Sequence, residues 1–398
     1  MSNTLITPSI IAKEALVSFE NEMCMGGLVH RDFKKEFVKI GSKVSVRKPV
    51  KFVASDGNTR VNQNVSESMT EITINKRKHV SWTFSMQDLT LTVAEYNKRY
   101  IQPAAAALAN IVDSDLCALN TDFYMAVGTP GTAPALFATY AAGVQKANEQ
   151  LWPRKDRHLV MNPRGHAALI DSFDANIFSS KITEAAIERG ATGKIIDMTV
   201  WQDANIKTHT QGTMDLATPI VATQPTANSI TMTDVAVGTQ TVLIGDIFSM
   251  AGCYDVNPMS GDAYRHLKQF VCTKDMTQVA GAGTIEFEPA IITSGAYKTC
   301  SAVPTINGAI LKFDGVSDAS VVAAQDRNMI FHKNAMALVM VPLELPQGAA
   351  FKARETYKNL SIAVVKDFDI DEYEDIIRLD IMYGVKTLYR ELGCLLVG

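Results

Sequence analysis

Histidines are the residues to test first for a metal or catalytic site, because imidazole binds zinc and exchanges protons near neutral pH. The seven are His30, His79, His158, His166, His209, His266 and His332. They are spread over the whole chain, and no two have the H-x-x-x-H spacing of a helical zinc site. The spread predicts structural or surface histidines and no metal centre.

A second string to test is GATGK at Gly190–Lys194, which is similar to a phosphate-binding loop. It lacks the four-residue gap between the glycines of that motif. Ile195 also stands where magnesium needs a serine or threonine hydroxyl. We therefore interpret the string as a turn.

An acidic run beginning at Asp367, Asp369 and Asp371 has the D-x-D-x-D pattern of a calcium loop. Glu372 replaces the glycine that the loop needs for its sharp turn, and Arg378 replaces the bidentate glutamate at its end. The sequence therefore predicts no calcium site here.

Local catalytic motifs are absent: the sequence has no G-x-S-x-G elbow, no zinc-protease helix and no complete dinucleotide glycine pattern. We predict that the chain is not an enzyme and has no catalytic residues, no metal and no cofactor. An active site assembled from distant residues would escape such a search, so an enzyme with a dispersed site stays open as an alternative.

Charged residues are concentrated in a basic and an acidic segment. The basic segment has an ordinary interpretation, because lysines commonly protect a strand edge from aggregation. An extended arm that cannot bury its own faces would instead lie on another chain. The basic residues, which we expect to form one outer face of an extended hairpin, are Lys43, Arg47, Lys48, Lys51, Lys76, Arg77 and Lys78. The acidic residues are Asp367, Asp369, Asp371, Glu372, Glu374 and Asp375.

Length and composition predict a folded protein of about two or three domains, since 47% of its 398 residues are apolar and 20% are charged. The net charge of −4 argues against sequence-specific nucleic-acid binding. Six scattered cysteines are expected to be reduced, buried thiols. With no signal peptide and no apolar stretch of about 20 residues, we expect a cytosolic protein without a membrane span.

Hydrophobic periodicity gives the order of the elements that would position these residues. The first half of the chain predicts an amphipathic helix (Ser9–Met25), a long extended hairpin (Gly41–Ser85) and a long helix (Ile101–Phe123). An α/β module follows, with helices at Tyr140–Leu151, Arg164–Ser172 and Lys181–Arg189 and with strands at His158–Met161 and Ile195–Val200. The rest predicts an all-β segment (Lys207–Ile310) and two long strands (Leu360–Phe368 and Ile376–Thr387).

This order, and six strings that span nearly the whole chain, resemble tailed-bacteriophage major capsid proteins of the P-twenty-two-type coat protein family, a branch of the Hong Kong 97-type capsid fold. The strings are IIAKEALVSFENE, KIGSKVSVRKPVKF, RYIQPAAAALANIVDSDL, VLIGDIFSMAGCYDVNP, FHKNAMALVMVPLELP and RLDIMYGVKTLYRELG.

The resemblance implies an α+β fold of the Hong Kong 97 type with an all-β insertion domain. Its implied parts are an N-terminal arm (1–40), an extended hairpin loop (41–85), a peripheral domain with a spine helix (86–136), an axial domain (137–206), the β-rich insertion domain (207–310) and a return to the axial and peripheral domains (311–398).

As function, the resemblance implies a coat protein that assembles into the pentamers and hexamers of an icosahedral phage head enclosing double-stranded DNA. The expected partners are other copies of the chain, a separate scaffolding protein, a portal, and packaged DNA bound without sequence specificity. The expected location is the virion capsid, assembled in the host cytoplasm. Opposite charges would fix which surfaces meet if the acidic run of one subunit faces the basic hairpin of its neighbour.

Two further alternatives stay open. An encapsulin-like nanocompartment shell would have the same fold and carry enzyme cargo instead of a genome. A β-rich phage tail or host-binding protein would use the all-β segment for recognition, and would form monomers or trimers in solution.

Overall fold

The computed structural model describes residues 8–32, 43–52, 57–58, 60, 62, 67–85, 97–176, 193–213, 220–221, 227–306, 311–313, 316–317, 320–321, 324–349, 351–370 and 374–398. They fall into two compact units. The first contains the described residues of Met1–Arg47, Met69–Cys117 and Met336–Leu388, and the second contains those of Lys48–Ser68, Ala118–Ala335 and Tyr389–Gly398.

Helices and strands are mixed along the chain, as in an α+β protein. The described α-helices are α1 (Pro8–Glu22), α2 (Met25–Leu28), α3 (Gln102–Cys117), α4 (Phe137–Glu149) and α5 (Pro163–Asn176). The described strands are β1 (Lys43–Arg47), β2 (Met69–Thr73), β3 (Lys76–Ser85), β4 (Met125–Gly128), β5 (Arg157–Met161), β6 (Lys194–Ile195), β7 (Met198–Gln202), β8 (Thr208–His209), β9 (Ile220–Val221), β10 (Ser229–Val242), β11 (Ile247–Val256), β12 (Ala263–Cys272), β13 (Met276–Glu288), β14 (Leu311–Phe313), β15 (Val316–Ser317), β16 (Ser320–Val321), β17 (Gln325–His332), β18 (Met336–Met340), β19 (Phe351–Tyr357), β20 (Leu360–Asp369), β21 (Glu374–Thr387) and β22 (Gly393–Val397).

The first unit is built around β21, which pairs antiparallel with β3, β18 and β20, while β19 pairs with β20. The strands β20 and β21 agree with the two predicted C-terminal strands to within about two residues. Helix α1 packs on α3, β19 and β20 and buries Ile11, Ala15 and Phe19. The four-residue spacing of these apolar side chains therefore identifies the buried face of α1.

Helix α1 ends at Glu22, earlier than the predicted end at Met25, and α2 begins as a separate turn. The physical reason is Asp113 on α3. Its carboxylate accepts hydrogen bonds from the backbone N–H groups of Cys24 (2.6 Å) and Gly26 (3.0 Å). A carboxylate that satisfies free N–H groups stabilises a new helix start, so the chain turns here.

The predicted hairpin is shorter than its expected range, Gly41–Ser85. Strands β1 and β2 pair antiparallel, from Lys43 opposite Thr73 to Arg47 opposite Met69. The following strand, β3, pairs with β21 instead of β1. The described ribbon is therefore β1 and β2, and the second half of the predicted hairpin belongs to the sheet of the first unit.

Gly384 on β21 permits close approach of the ribbon. A Cβ atom at this position would lie 2.5 Å from the carbonyl oxygen of Thr73 and 3.2 Å from the Cα of Ile74. Because both obstacles are backbone, Gly384→Ala is expected to lower the free energy of unfolding by about 1–3 kcal/mol in urea denaturation. Gly348→Ala, whose Cβ would meet nothing within 4 Å, is the control and should change it by less than about 0.5 kcal/mol. Equal losses in the two variants would contradict this interpretation.

The second unit contains a mixed sheet in the order β4-β22-β17-β5-β7-β6, with α4 packed on β22 and α5 on β5. The pairs β4–β22 and β5–β7 are parallel. The predicted strand Ile195–Val200 is interrupted by a tight turn at Ile196 and Asp197, which have φ of 43° and 64°. Its first residue belongs to β6, and its last three residues belong to β7, which pairs antiparallel with β6. The predicted helix Lys181–Arg189 lies outside the described residues.

The second unit also contains a β-rich sheet in the order β14-β11-β12-β13-β10-β9. Its core holds Phe248, Phe270, Phe287 and Phe313, whose ring centroids lie 5.2–5.7 Å apart in the contacting pairs. The all-β character of this segment was predicted, but the sheet continues past Ile310. Strand β14 pairs with β11, and its last residue, Phe313, is buried in the same core.

Candidate intersubunit contact surfaces

The outward face of the β1–β2 ribbon carries the first two predicted basic residues. The Lys43 ammonium lies 2.7 Å from a carboxylate oxygen of Glu71, with side chains 62% and 51% exposed. Arg47 is exposed on the same face, whereas Val44 and Ile72 are buried on the other. The ribbon therefore has one buried apolar face and one exposed polar face.

Lys48 and Lys51 follow the ribbon strand and belong to the second unit. The Lys48 ammonium lies 5.4 Å from the ring centroid of Tyr389, and the Lys51 backbone N–H donates to the Tyr297 hydroxyl at 3.3 Å. Lys51 keeps an exposed side chain. These four basic residues, which lie within nine positions of one another in the sequence, are called the basic arm: Lys43, Arg47, Lys48 and Lys51.

The other predicted basic residues lie on β3 and do not form one face with the ribbon. Lys76 is 3.0 Å from Asp115, and Arg77 is 3.4 Å from the buried carboxylate of Asp380. Strand alternation places Lys76 and Lys78 on one face of the sheet and Arg77 on the other. The expectation of a single basic face is wrong for these residues, because β3 pairs with β21.

The acidic run is also divided by its strand pairing. Asp369 lies directly opposite Glu374, and Asp367 shares their face. Asp375 lies on the opposite face, 2.6 Å from Lys366, and is mostly buried. Asp371 and Glu372 lie outside the described residues. We define Asp367, Asp369 and Glu374 as the acidic turn.

A buried polar cluster in the second unit was not predicted. The Lys268 ammonium donates to Asp255 Oδ1 at 2.8 Å, the Gln150 amide donates to Oδ2 at 2.9 Å, and His266 Nε2 lies 3.5 Å away. Burial alone raises the pKa of Asp255, but the hydrogen bond from His266 and the charge of Lys268 outweigh it and hold the pKa below its usual value. The Lys268 ammonium also lies 4.8 Å from the ring centroid of Tyr124.

This cluster has a structural role, because the Asp255 carboxylate accepts hydrogen bonds from several neighbouring side chains. Within the described residues, no group of three or more His, Cys, Asp or Glu side chains could hold a metal ion. No described helix is long and apolar enough to cross a membrane. The described surface does carry exposed charges of both signs, in the basic arm and in the acidic turn.

Comparison with known proteins identifies the family. Residues 2–398 match the model described as "P22 coat protein - gene protein 5". No curated protein sequence matches the chain.

Similar solved structures come from phages and from a GTA particle. They include a chain from Mycobacterium phage Che8 (14% identity, TM-score 0.46, covering 94% of this chain and 90% of that one), the capsid of Ralstonia phage GP4 (10%, 0.47, 100% and 92%) and the capsid of a native GTA particle (10%, 0.45, 100% and 93%). The family match covers nearly the whole chain and confirms the Hong Kong 97-type fold class and the major capsid role. The chain belongs to the P22 coat protein family.

Proposed function

We propose that copies of this chain assemble into pentamers and hexamers and close into an icosahedral phage head around double-stranded DNA. The family match over residues 2–398 carries this proposal. The expected role is structural and not enzymatic. Assembly would take place in the host cytoplasm, with a separate scaffolding protein and a portal as partners. The weakly negative net charge of the subunit is consistent with a shell whose inner wall does not bind the packaged DNA tightly.

The parts named from the resemblance have counterparts that support this proposal. The ribbon would be the extended loop, α3 the spine helix, the mixed sheet of the second unit the axial domain, and the β-rich sheet the insertion domain. Co-expression with a scaffolding protein, followed by electron microscopy, tests the proposal through the presence or absence of closed shells.

For the subunit contact, we propose that the acidic turn of one copy faces the basic arm of a neighbour. Both sets carry exposed or half-exposed side chains, and their charges are opposite. Complementary fields mainly set specificity and association rate, whereas one exposed pair contributes about 0.2–1 kcal/mol. A single substitution should therefore be tolerated.

Reversing Lys43, Lys48 and Lys51 together to glutamate is expected to slow or block assembly, most strongly at low salt, where unscreened repulsion is largest. Lys76 is left unchanged because its pair with Asp115 within the chain is only 25–35% exposed. The pair of Lys43 with Glu71 is 51–62% exposed, so breaking it should cost little. Reversing the acidic turn to lysine in the same chain should partly restore the rate, as measured by light scattering over a range of ionic strength.

The matched control reverses the exposed Lys207, Lys274 and Lys312, which changes the net charge equally. It should assemble nearly as wild type does. Wild-type kinetics in the basic-arm variant at low salt, or equal slowing in the control, would show that the two surfaces do not recognise each other.

A further inference from the structure

His332 is the last residue of β17 and stands directly before a single turn of 3-10 helix, Lys333–Ala335. Its side chain is 6% exposed. The ring atom Nδ1 accepts a hydrogen bond from the backbone N–H of Asn334 at 3.2 Å. The preceding N–H, that of Lys333, donates to the carbonyl of Asp156 at 3.0 Å. Free N–H groups at the start of a helical turn need such acceptors, so the His332 ring caps this turn.

This cap depends on the protonation state of the ring. Neutral imidazole has one nitrogen with a free lone pair, whereas both nitrogens of imidazolium carry a proton and can only donate. A ring that accepts at Nδ1 is therefore neutral. Protonation of Nδ1 would set two N–H groups against each other and remove the hydrogen bond to Asn334. Asn334 is exposed, so water can deliver the proton and solvate the released N–H.

A buried cation lies directly opposite His332 and opposes a positive charge on its ring. Arg157 on β5 is the register partner of His332 on β17 and is 2% exposed. Its guanidinium donates at 2.7–2.8 Å to three uncharged oxygens, those of the Trp152 and Pro153 backbone and of the Asn148 side chain. Like charges directly opposite each other in a ladder are destabilising, so a protonated His332 would strain this pair.

The charged groups on the adjoining segments act in both directions. Burial, the largest effect, lowers the pKa of His332. Asp156 and a hydrogen bond with the Lys155 backbone raise this pKa, whereas Arg157 and Lys333 lower it. Because the lowering effects are larger, the neutral ring is favoured in the folded chain.

Two further groups of charged or titratable residues border this region. The short helix Arg390–Leu392 contacts the capped turn, and on it Arg390 is paired with Asp122 at 3.6 Å while Glu391 is half-buried. His158 follows Arg157 on β5, so its side chain points to the opposite face of the sheet. The charges that act on the His332 ring are therefore those of Asp156, Arg157 and Lys333.

We propose that His332 is an acid-sensitive switch: its neutral ring closes the turn Lys333–Ala335, and a proton bound at Nδ1 opens it. The turn is one of the places where the chain passes from the second unit, at Ala335, to the first, at Met336. The pKa of His332 is lower in the folded chain than in the unfolded one. The stabilising contribution of the neutral ring is therefore complete above the unfolded value of about 6.5 and is lost as the pH falls below it.

Hydrogen exchange of the folded full-length protein, read by mass spectrometry at about pH 7.5 and about pH 5, tests the proposal. The measured quantity is the protection factor of the peptide that contains Asn334, which corrects for the pH dependence of intrinsic exchange. In wild type it should fall about tenfold on acidification, as expected for the loss of one hydrogen bond. Peptides from β20 should keep their protection. A uniform fall over the chain would indicate general acid unfolding and would overturn the proposal.

Three variants separate the acceptor from its titration. His332→Asn replaces Nδ1 by an amide oxygen that accepts but does not titrate, so the turn should stay protected at both pH values. His332→Leu has no acceptor and should be weakly protected at both. The matched control, His166→Asn, changes a half-buried histidine of α5 and should follow wild type. Constant protection in wild type, or an equal fall in His332→Asn, would contradict the switch. The wild-type result decides the question even if a variant fails to fold, and shell formation plays no part in it.

Discussion

Deletion of residues 55–66 from the hairpin tip is expected to abolish shell formation while leaving a folded subunit. The base of the connection is closed outside the deleted segment, where the Lys48 N–H donates to the Ser68 carbonyl at 2.9 Å. The described deleted residues, at 57–58, 60 and 62, are exposed, and the others lie outside the described residues. An exposed polar segment contributes little to its own core, so the loss should fall on contacts between subunits.

The effect should be large because every subunit of the shell would lose the same contact. A lattice that is held by many modest contacts depends on their acting together. Sucrose-gradient sedimentation measures shells, and circular dichroism melting measures the subunit. A variant with residues 55–66 replaced by a Gly/Ser segment of equal length separates lost contacts from altered chain length. An unfolded deletion variant, or shells at wild-type yield, would show that the tip is not an intersubunit element.

The second large effect is expected at the buried cluster. Asp255→Asn should lower the free energy of unfolding by about 3–5 kcal/mol, because it leaves the buried ammonium of Lys268 without its charged partner. Urea denaturation of the purified subunit measures the loss. Glu286→Gln is the control, because the Glu286 carboxylate lies 2.9 Å from the Lys274 ammonium but both side chains are 50–68% exposed. This variant should lose no more than about 1 kcal/mol of its free energy of unfolding.

The pH dependence gives this account a second test. Because the pKa of Asp255 is lower in the folded chain than in the unfolded one, its contribution is complete above the unfolded value of about 3.9 and is lost as the pH falls through the folded value. Asp255→Asn should therefore flatten the acid side of the stability curve. Adding Lys268→Met should recover part of the stability, because it removes the uncompensated charge. A small loss in Asp255→Asn with an unchanged acid limb would contradict the account.

The elements that the sequence predicts best are those whose pattern is set by burial alone. Strands β20 and β21 carry long apolar runs, and their bounds differ little from the prediction. In α1, the four-residue spacing of Ile11, Ala15 and Phe19 correctly identifies the buried face. Local periodicity is sufficient here because each side chain needs only a buried face, whichever element covers it.

Strand partners could not be predicted in the same way. Ile72, Ile74, Val80 and Trp82 keep the same period across the end of β2 and the start of β3, so the pattern continues while the pairing partner changes from β1 to β21. This change separates Lys76, Arg77 and Lys78 from the basic arm. Pairing across nearly 300 residues depends on the whole fold and leaves no mark in the local alternation.

The buried cluster was missed for a related reason. A lysine within a strand is usually taken as an exposed side chain, since lysine is rarely buried unless it is paired. Lys268 is 3% exposed because Asp255 on the neighbouring strand compensates its charge. Only the paired register of β11 and β12 reveals that compensation.

The most direct test of the proposed function is electron microscopy of the full-length chain, purified after expression alone and with a scaffolding protein. We predict closed shells of uniform diameter with fivefold and sixfold clusters of subunits on their surface. Monomers or trimers under both conditions, with the subunit folded by circular dichroism, would contradict the proposal that this coat protein builds an icosahedral head.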